Sequence, residues 1–341
     1  MKALMIGGTG TISAAITRRL AADPAWEVTV LNRGNRTAAL PEGVRQITAD
    51  IGNEAETAEK LRGTYFDTVC EFIGFRRSDV ERDFRLFRDK TAQYIFTSTA
   101  SAYHKPVSDY RVSEGTALAN PWWQYSRDKI ACEDFLMEQY RENGFPVTIV
   151  RPSHTYDERH VPTGLHGQRG FWQVLQRMLD GKPVIVQGDG TSLWTLTFNE
   201  DFAVGYTGLM GNIHAIGEAF QITADETLTW NQIYETIGAA LGVKPQLYHI
   251  ASDFLAAAGA RCNYDFAGSL LGDKAVSVVF DNTKLKRLVP EMRTSVPFHR
   301  GVRIALAYIL AHPEECQTPD PEFDTWCDRV IAAQEEARRR F

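Results

Sequence analysis

The chain has 341 residues, a formal net charge of −6, and 44% hydrophobic against 23% charged residues. That length exceeds what one core ordinarily supports, and the composition is that of a globular enzyme, not of a disordered or fibrous chain. The acidic balance argues against a nucleic-acid partner, and no apolar run approaches the ~20 residues of a membrane span. Five scattered cysteines, none spaced as Cys-x-x-Cys, fit reduced thiols better than disulfides or a zinc site. With a strand pattern opening at residue 2 and no room before it for a signal peptide, the expectation is a cytoplasmic protein.

Residues 2–6 read as a short buried strand, and residues 14–20 as a helix with Ile12, Ile16 and Leu20 on one stripe. Between them stands Gly7-Gly8-Thr9-Gly10-Thr11-Ile12-Ser13. A strand, a glycine turn and a helix start converge free N–H groups and the helix dipole on one spot, which suits an anion. Gly7 and Gly10 leave the backbone bare for a pyrophosphate, and Ser13 takes the place of a third glycine. Further strands are predicted at 27–31, 44–48, 66–73, 94–97 and 146–150, with helices at 53–61, 78–87 and 125–143. The alternation predicts an α/β fold, a doubly wound parallel sheet of Rossmann type whose ligands lie past the carboxyl ends of the strands.

Residues in those places are chemically informative. Asn32, Arg33 and Arg36 follow the second strand, where an NAD-preferring site usually has a carboxylate for the ribose 2′-hydroxyl. Guanidinium groups suit a 2′-phosphate instead, so NADP is expected, with NAD as the alternative. Asp50, after the third strand, is read either as an adenine partner or as the cap of the next helix. Glu71, ending the fourth strand, either faces the ligands or pairs with Arg76 or Arg77. The fifth strand runs into Thr97-Ser98-Thr99-Ala100-Ser101-Ala102-Tyr103, and Tyr125 and Lys129 share one face of the following helix at i,i+4.

Together, the Gly-Gly-Thr-Gly turn, the Phe96–Tyr103 segment, Tyr125-Ser126-Arg127-Asp128-Lys129, Arg151-Pro152-Ser153-His154 and Asp201-Phe202-Ala203 resemble the extended short-chain dehydrogenase/reductases, in the NAD-dependent epimerase/dehydratase group. The resemblance covers nearly the whole chain. It implies Thr99, Tyr125 and Lys129 as catalytic residues, with Tyr125 the acid/base, its phenol lowered by the Lys129 ammonium and the nicotinamide cation. It implies cofactor contacts from Gly7, Gly10, Thr11, Ile12, Asn32, Arg33, Arg36, Asp50, Ile73, Gly74, Thr97, Tyr125, Lys129, Pro152, Ser153 and His154. It also implies substrate contacts from Thr99, Ser101 and Tyr103 and a homodimer paired through the helix that bears Tyr125, while Trp194, by its flat apolar face, is read either as a further substrate contact or as a core residue.

The second half reads as a smaller, mainly helical substrate lobe, interleaved with the cofactor domain: 1–168 and 191–226 in the first, 169–190 and 227–341 in the second. A helix is expected at 171–179, strands at 183–186, 194–198 and 219–223, and a helix at 200–209. Members acting on nucleotide sugars carry diphosphate-gripping arginines where this chain has Trp194 and Leu270. An anionic diphosphate without such partners is poorly compensated. The expected reaction is therefore hydride transfer at a carbinol of a small carbohydrate-like substrate without a nucleotide handle. The alternatives are a nucleotide-sugar epimerase or dehydratase using Arg169 or Arg300, and a non-catalytic NAD(P)-sensing or RNA-associated protein. His154, His160 and His166 are spaced six apart, which suits no single helix face, and no metal is expected.

Overall fold

The computed structural model describes residues 1–34 and 40–341. Among the described residues, seven strands form one parallel sheet: β1 (Lys2–Ile6), β2 (Glu27–Asn32), β3 (Arg45–Thr48), β4 (Thr68–Glu71), β5 (Tyr94–Thr97), β6 (Val147–Pro152) and β7 (Ala219–Ile222). Their order is β7-β6-β5-β4-β1-β2-β3. The chain reverses direction across the sheet between β1 and β4, where Ile6 lies opposite both Leu31 and Glu71. An open parallel sheet splits apart at such a switch point and leaves a crevice for ligand.

Helices cover both faces because each carries one apolar stripe. On one face, Ala15, Ile16 and Leu20 of α1 (Thr11–Ala21) pack with Phe202, Tyr206 and Leu209 of a helix at Asn199–Leu209. On the other lie α2 (Glu54–Lys60), α3 (Arg77–Phe87) and α4 (Gln124–Asn143), with Val80, Phe87, Cys132 and Leu136 in a shared core. α4 ends at Gly144, whose φ of 67° closes the helix in the left-handed conformation. It is tied to β6 by a buried bidentate pair, with Arg151 Nη2 2.6 Å from Glu133 Oε2.

A second core gathers Trp172 and Leu175 of the Trp172–Leu179 helix, Trp230 and Ile237 of the Trp230–Leu241 helix, and Phe298 and Val302 of the Phe298–Ala311 helix. It also takes in Tyr156, Val161, Leu165, Leu196 and Phe198, which the sequence assigns to the cofactor domain. Among the described residues no helix is long and apolar enough to cross a membrane.

Two predicted strands are shorter than expected. In place of 66–73, only Thr68–Glu71 pairs in the sheet, because Glu71 turns its carboxylate back to accept the N–H of Ile73 and ends the strand there. The strand expected at 194–198 breaks at Thr195. Leu193–Trp194 runs antiparallel to Leu228–Thr229, whereas Leu196–Phe198 runs parallel to His154–Tyr156.

Candidate active site

The glycine turn is built as its sequence requires. Gly7 has a φ of +83°, and a Cβ there would stand 2.6 Å from Ile73 Cγ2. Only glycine satisfies both conditions. The Ser13 hydroxyl donates to Gly7 O at 2.7 Å and accepts from Gly10 N at 2.9 Å, fixing the turn from inside. The first-turn N–H groups of Thr11 and Ile12 have no carbonyl within α1 and lie at its positive end.

Beside the turn lies a cavity of about 440 Å³, lined by Gly7, Gly10, Asn32, Arg33, Asp50 and Ile73, with Phe75 and Arg82 on its far side. Its bare backbone, helix start and cationic rim fit the pyrophosphate and ribose of a dinucleotide. Asn32 Oδ1 accepts from Gly34 N and Gln46 Nε2. Asp50 Oδ1 holds the Gly52 N–H, and Asn53 caps α2, so Asp50 is a cavity wall and not the cap. Arg36 lies outside the described residues.

A second cavity, of about 320 Å³, opens where β5 and β6 end against the lobe. Thr99, Ser101, Tyr125, Pro152, Ser153, His154 and Trp194 all line it. Thr99 Oγ1 lies 3.0 Å from Ser101 Oγ, which lies 2.7 Å from Ser126 Oγ on α4. The Asn120 amide donates to Ser101 O at 2.8 Å and to Gly272 O at 2.7 Å, fastening the hydroxyl segment to the lobe. Lys129, only 2% exposed, donates to Gly74 O and Thr97 O, each at 2.7 Å. Those two bonds anchor the ends of β4 and β5 to α4, and burial lowers the Lys129 ammonium to about 8.

Three expectations change. Burial pushes the Tyr125 phenol up to about 12, opposed by its hydrogen bond with Thr99. Lys129 faces backbone carbonyls instead of the phenol, so the side chains alone do not make Tyr125 a neutral-pH base. Tyr103 does not line the cleft: it is fully buried, and its hydroxyl donates to Gln221 Oε1 at 3.0 Å. Glu71 meets neither the ligand cavities nor Arg76 and Arg77. It is sealed against Asp83, and burial beside that second carboxyl raises it well above the usual carboxylate range.

Trp194 is 3% exposed and stacks at 5.8 Å on Trp230, while its Nε1 donates to His154 Nδ1 at 3.3 Å. That bond makes His154 an acceptor, and burial holds it well below the usual histidine range. Leu270 is fully buried in the lobe core. Arg169 and Arg300 are bonded to Pro319 O and Ser295 O respectively, and neither lines the cleft. The sequence did not single out Asp273 and Lys274 as site residues, yet both line the cleft. Their only local signal was the Gly272-Asp273 dipeptide, which a π-helix at Ala267–Lys274 turns inward.

The model of the NAD dependent epimerase/dehydratase family matches residues 3–223. The chain is 25% identical over 242 residues to the 2′-dehydrokanamycin reductase of Streptomyces kanamyceticus, covering 71% of this chain and 67% of that one. It is also 25% identical over 262 residues to the chloroplast stem-loop binding protein of 41 kDa b of Arabidopsis thaliana, covering 73% and 65%. The dTDP-glucose 4,6-dehydratase of Bacillus anthracis, solved in complex with NAD, superposes with a TM-score of 0.70 at 15% identity, covering 92% of this chain and 98% of that one.

Proposed function

The chain belongs to the NAD dependent epimerase/dehydratase family, and from that premise we propose that it moves hydride at a carbinol of a small carbohydrate-like substrate that carries no nucleotide. It is an enzyme of the short-chain dehydrogenase/reductase type using a nicotinamide cofactor; NADP is the form we propose, on the Arg33 rim of its cavity. The observation that carries the substrate reading is the cleft wall. Trp194 lines it, Leu270 is buried away from it, and among the described residues that line it none is an arginine. The Streptomyces relative, named for reducing 2′-dehydrokanamycin, supports the same reading.

In the proposed reaction the nicotinamide ring supplies the hydride acceptor or donor. Thr99 and Tyr125 take the carbinol oxygen between them, and the hydroxyl proton passes to the Tyr125 oxygen. Partial burial raises the Tyr125 phenol, while its side chain still opens on the cleft. The phenol must therefore be lowered by positive charge arriving with the oxidised nicotinamide. Lys129 holds Gly74 and Thr97, two backbone points that frame the cofactor cavity and the cleft. Subunit pairing through α4 is proposed with it.

A sensing or RNA-associated role has a relative to point to, the stem-loop binding protein. Against it stands the retention of Thr99 and Tyr125 in one cleft, a pairing that non-catalytic binding does not need.

The test is a carbohydrate screen that follows nicotinamide absorbance, with Tyr125→Phe as control. Turnover should fall about 10²–10⁴-fold, the usual contribution of an acid/base group, with cofactor binding retained. Near-normal turnover by the variant would remove Tyr125 from the chemistry. Calorimetry should find UDP-glucose bound no better than UDP; sugar-dependent micromolar binding would favour the nucleotide-sugar alternative.

A further inference from the structure

The cleft contains charged groups that the hydride chemistry does not use. Asp273 and Lys274, neighbours in the chain, both line it together with Tyr125 and Trp194. Their backbone is pinned on both flanks. Asn120 Nδ2 holds Gly272 O at 2.7 Å, and Trp230 Nε1 and Ser192 Oγ hold Lys274 O at 3.0 and 3.3 Å. The side chains, by contrast, make no hydrogen bond or ion pair among the described residues. π-Helical turns are rare and recur at functional sites, and this one ends with the two charges facing the cavity.

An unpaired charge in a recessed wall is costly unless something completes it. Lys105, 1% exposed, stands near enough to Asp273 to oppose its charge from behind. Lys274 shares the cleft wall with His154, which burial keeps uncharged, and burial lowers the Lys274 ammonium as well. Among the described residues that line the cleft Lys274 is the one ammonium, and Lys105 is not one of them.

Building on the hydride-transfer reading, we propose that Asp273 and Lys274 read the substrate, and that the substrate is a sugar acid. Its carboxylate sits on the Lys274 ammonium while Asp273 accepts protons from its ring hydroxyls. A carboxylate gives the Lys274 ammonium the hydrogen-bonded partner it lacks in the cleft wall. An amino sugar would add a second uncompensated cation, and a neutral sugar would leave Lys274 unpaired. Trp194 offers the apolar face against which the ring lies.

Calorimetry on the cofactor-loaded enzyme tests this with D-glucuronate, D-galacturonate, D-galactose and D-galactosamine. At least one uronate should bind tenfold or more tightly than both D-galactose and D-galactosamine. Lys274→Met should erase that preference, and Lys274→Arg should keep most of it. A cooperative melting transition and an unchanged cofactor affinity establish that each variant is folded, and Lys274→Gln, which should erase the preference in the same way, serves in place of Lys274→Met if the latter is not. Asp273→Asn should weaken all four sugars while sparing the order among them. Equal or weaker binding of the uronates, no binding of any of the four, or a preference that survives Lys274→Met, overturns the proposal. The two readings fail separately. Lys274-dependent uronate binding without any turnover sinks the hydride reading alone, whereas Tyr125-dependent turnover of neutral sugars without uronate preference sinks this one alone.

Discussion

Arg33 stands exposed at the rim of the dinucleotide cavity, with Asn32 beside it offering no repelling carboxylate. Arg33→Ala is expected to weaken NADP about tenfold, roughly 1.4 kcal/mol, and to leave NAD unchanged; fluorescence titration with both cofactors reads the difference. Asp273 behaves oppositely to most carboxylates. Burial raises it to about 6 from an ordinary value of 3.8, against the lowering effect of Lys105 and then Lys274. A raised folded value means that the native state holds the proton more tightly than the unfolded chain. Its contribution to stability is therefore full below pH about 4 and lost as pH rises through about 6. Asp273→Asn should accordingly raise the melting temperature at pH 7.5, and the gain should vanish near pH 4. A gain that stays constant across that range would show the carboxyl to be ionised throughout.

At the scale of elements, what the sequence revealed was what lies within one turn of itself. The Gly7–Ser13 turn and the Tyr125/Lys129 face could be read because backbone geometry fixes both within a few residues. Lys129 could be singled out by its spacing from Tyr125, but its partners, Gly74 and Thr97, lie at or past the ends of other strands and were invisible in that spacing. The same holds for Glu71 against Asp83, and for Asp273 and Lys274, which reach the cleft only through a π-helix packed on Asn120 and Trp230. Trp194 was placed in the cleft, though its antiparallel pairing with Leu228 was not foreseen. Tyr103 was misplaced because its neighbours Thr99 and Ser101 do line the cleft, and a 3₁₀ turn at Ala100–Ala102 sends it to Gln221 instead. The pair joining α4 to β6 also escaped notice, and it has a direct test. Glu133→Ala leaves Arg151 buried without its partner, 5% exposed, and should cost about 3–5 kcal/mol in urea unfolding. Glu133→Leu with Arg151→Met should cost much less, since both charges leave together. If the double variant is as unstable as the single one, the pair has a role beyond mutual compensation.

Across the whole molecule, the lobe is fastened at its far side by Arg177, which is 1% exposed and reaches Asp324 and Asp328 on the Pro321–Arg339 helix at 2.6 and 2.8 Å. Arg177→Ala should destabilise the protein at the lower end of the roughly 3–5 kcal/mol of a broken buried pair, because both acceptors remain partly hydrated. Cofactor affinity should hold in the same variant, since the glycine turn lies in the other core; loss of both would mean that the two cores do not melt separately. The order of the strands also bears on how the chain is made. α1 is synthesised well before the helix that covers it, Asn199–Leu209, and the edge strand β7 that completes the sheet, which follow almost two hundred residues later. Until then, Ile16 and Leu20 have no partner from that helix. During synthesis that part of the α1 stripe stays uncovered by its final neighbour, and the sheet can be complete only once residues near 220 have been made.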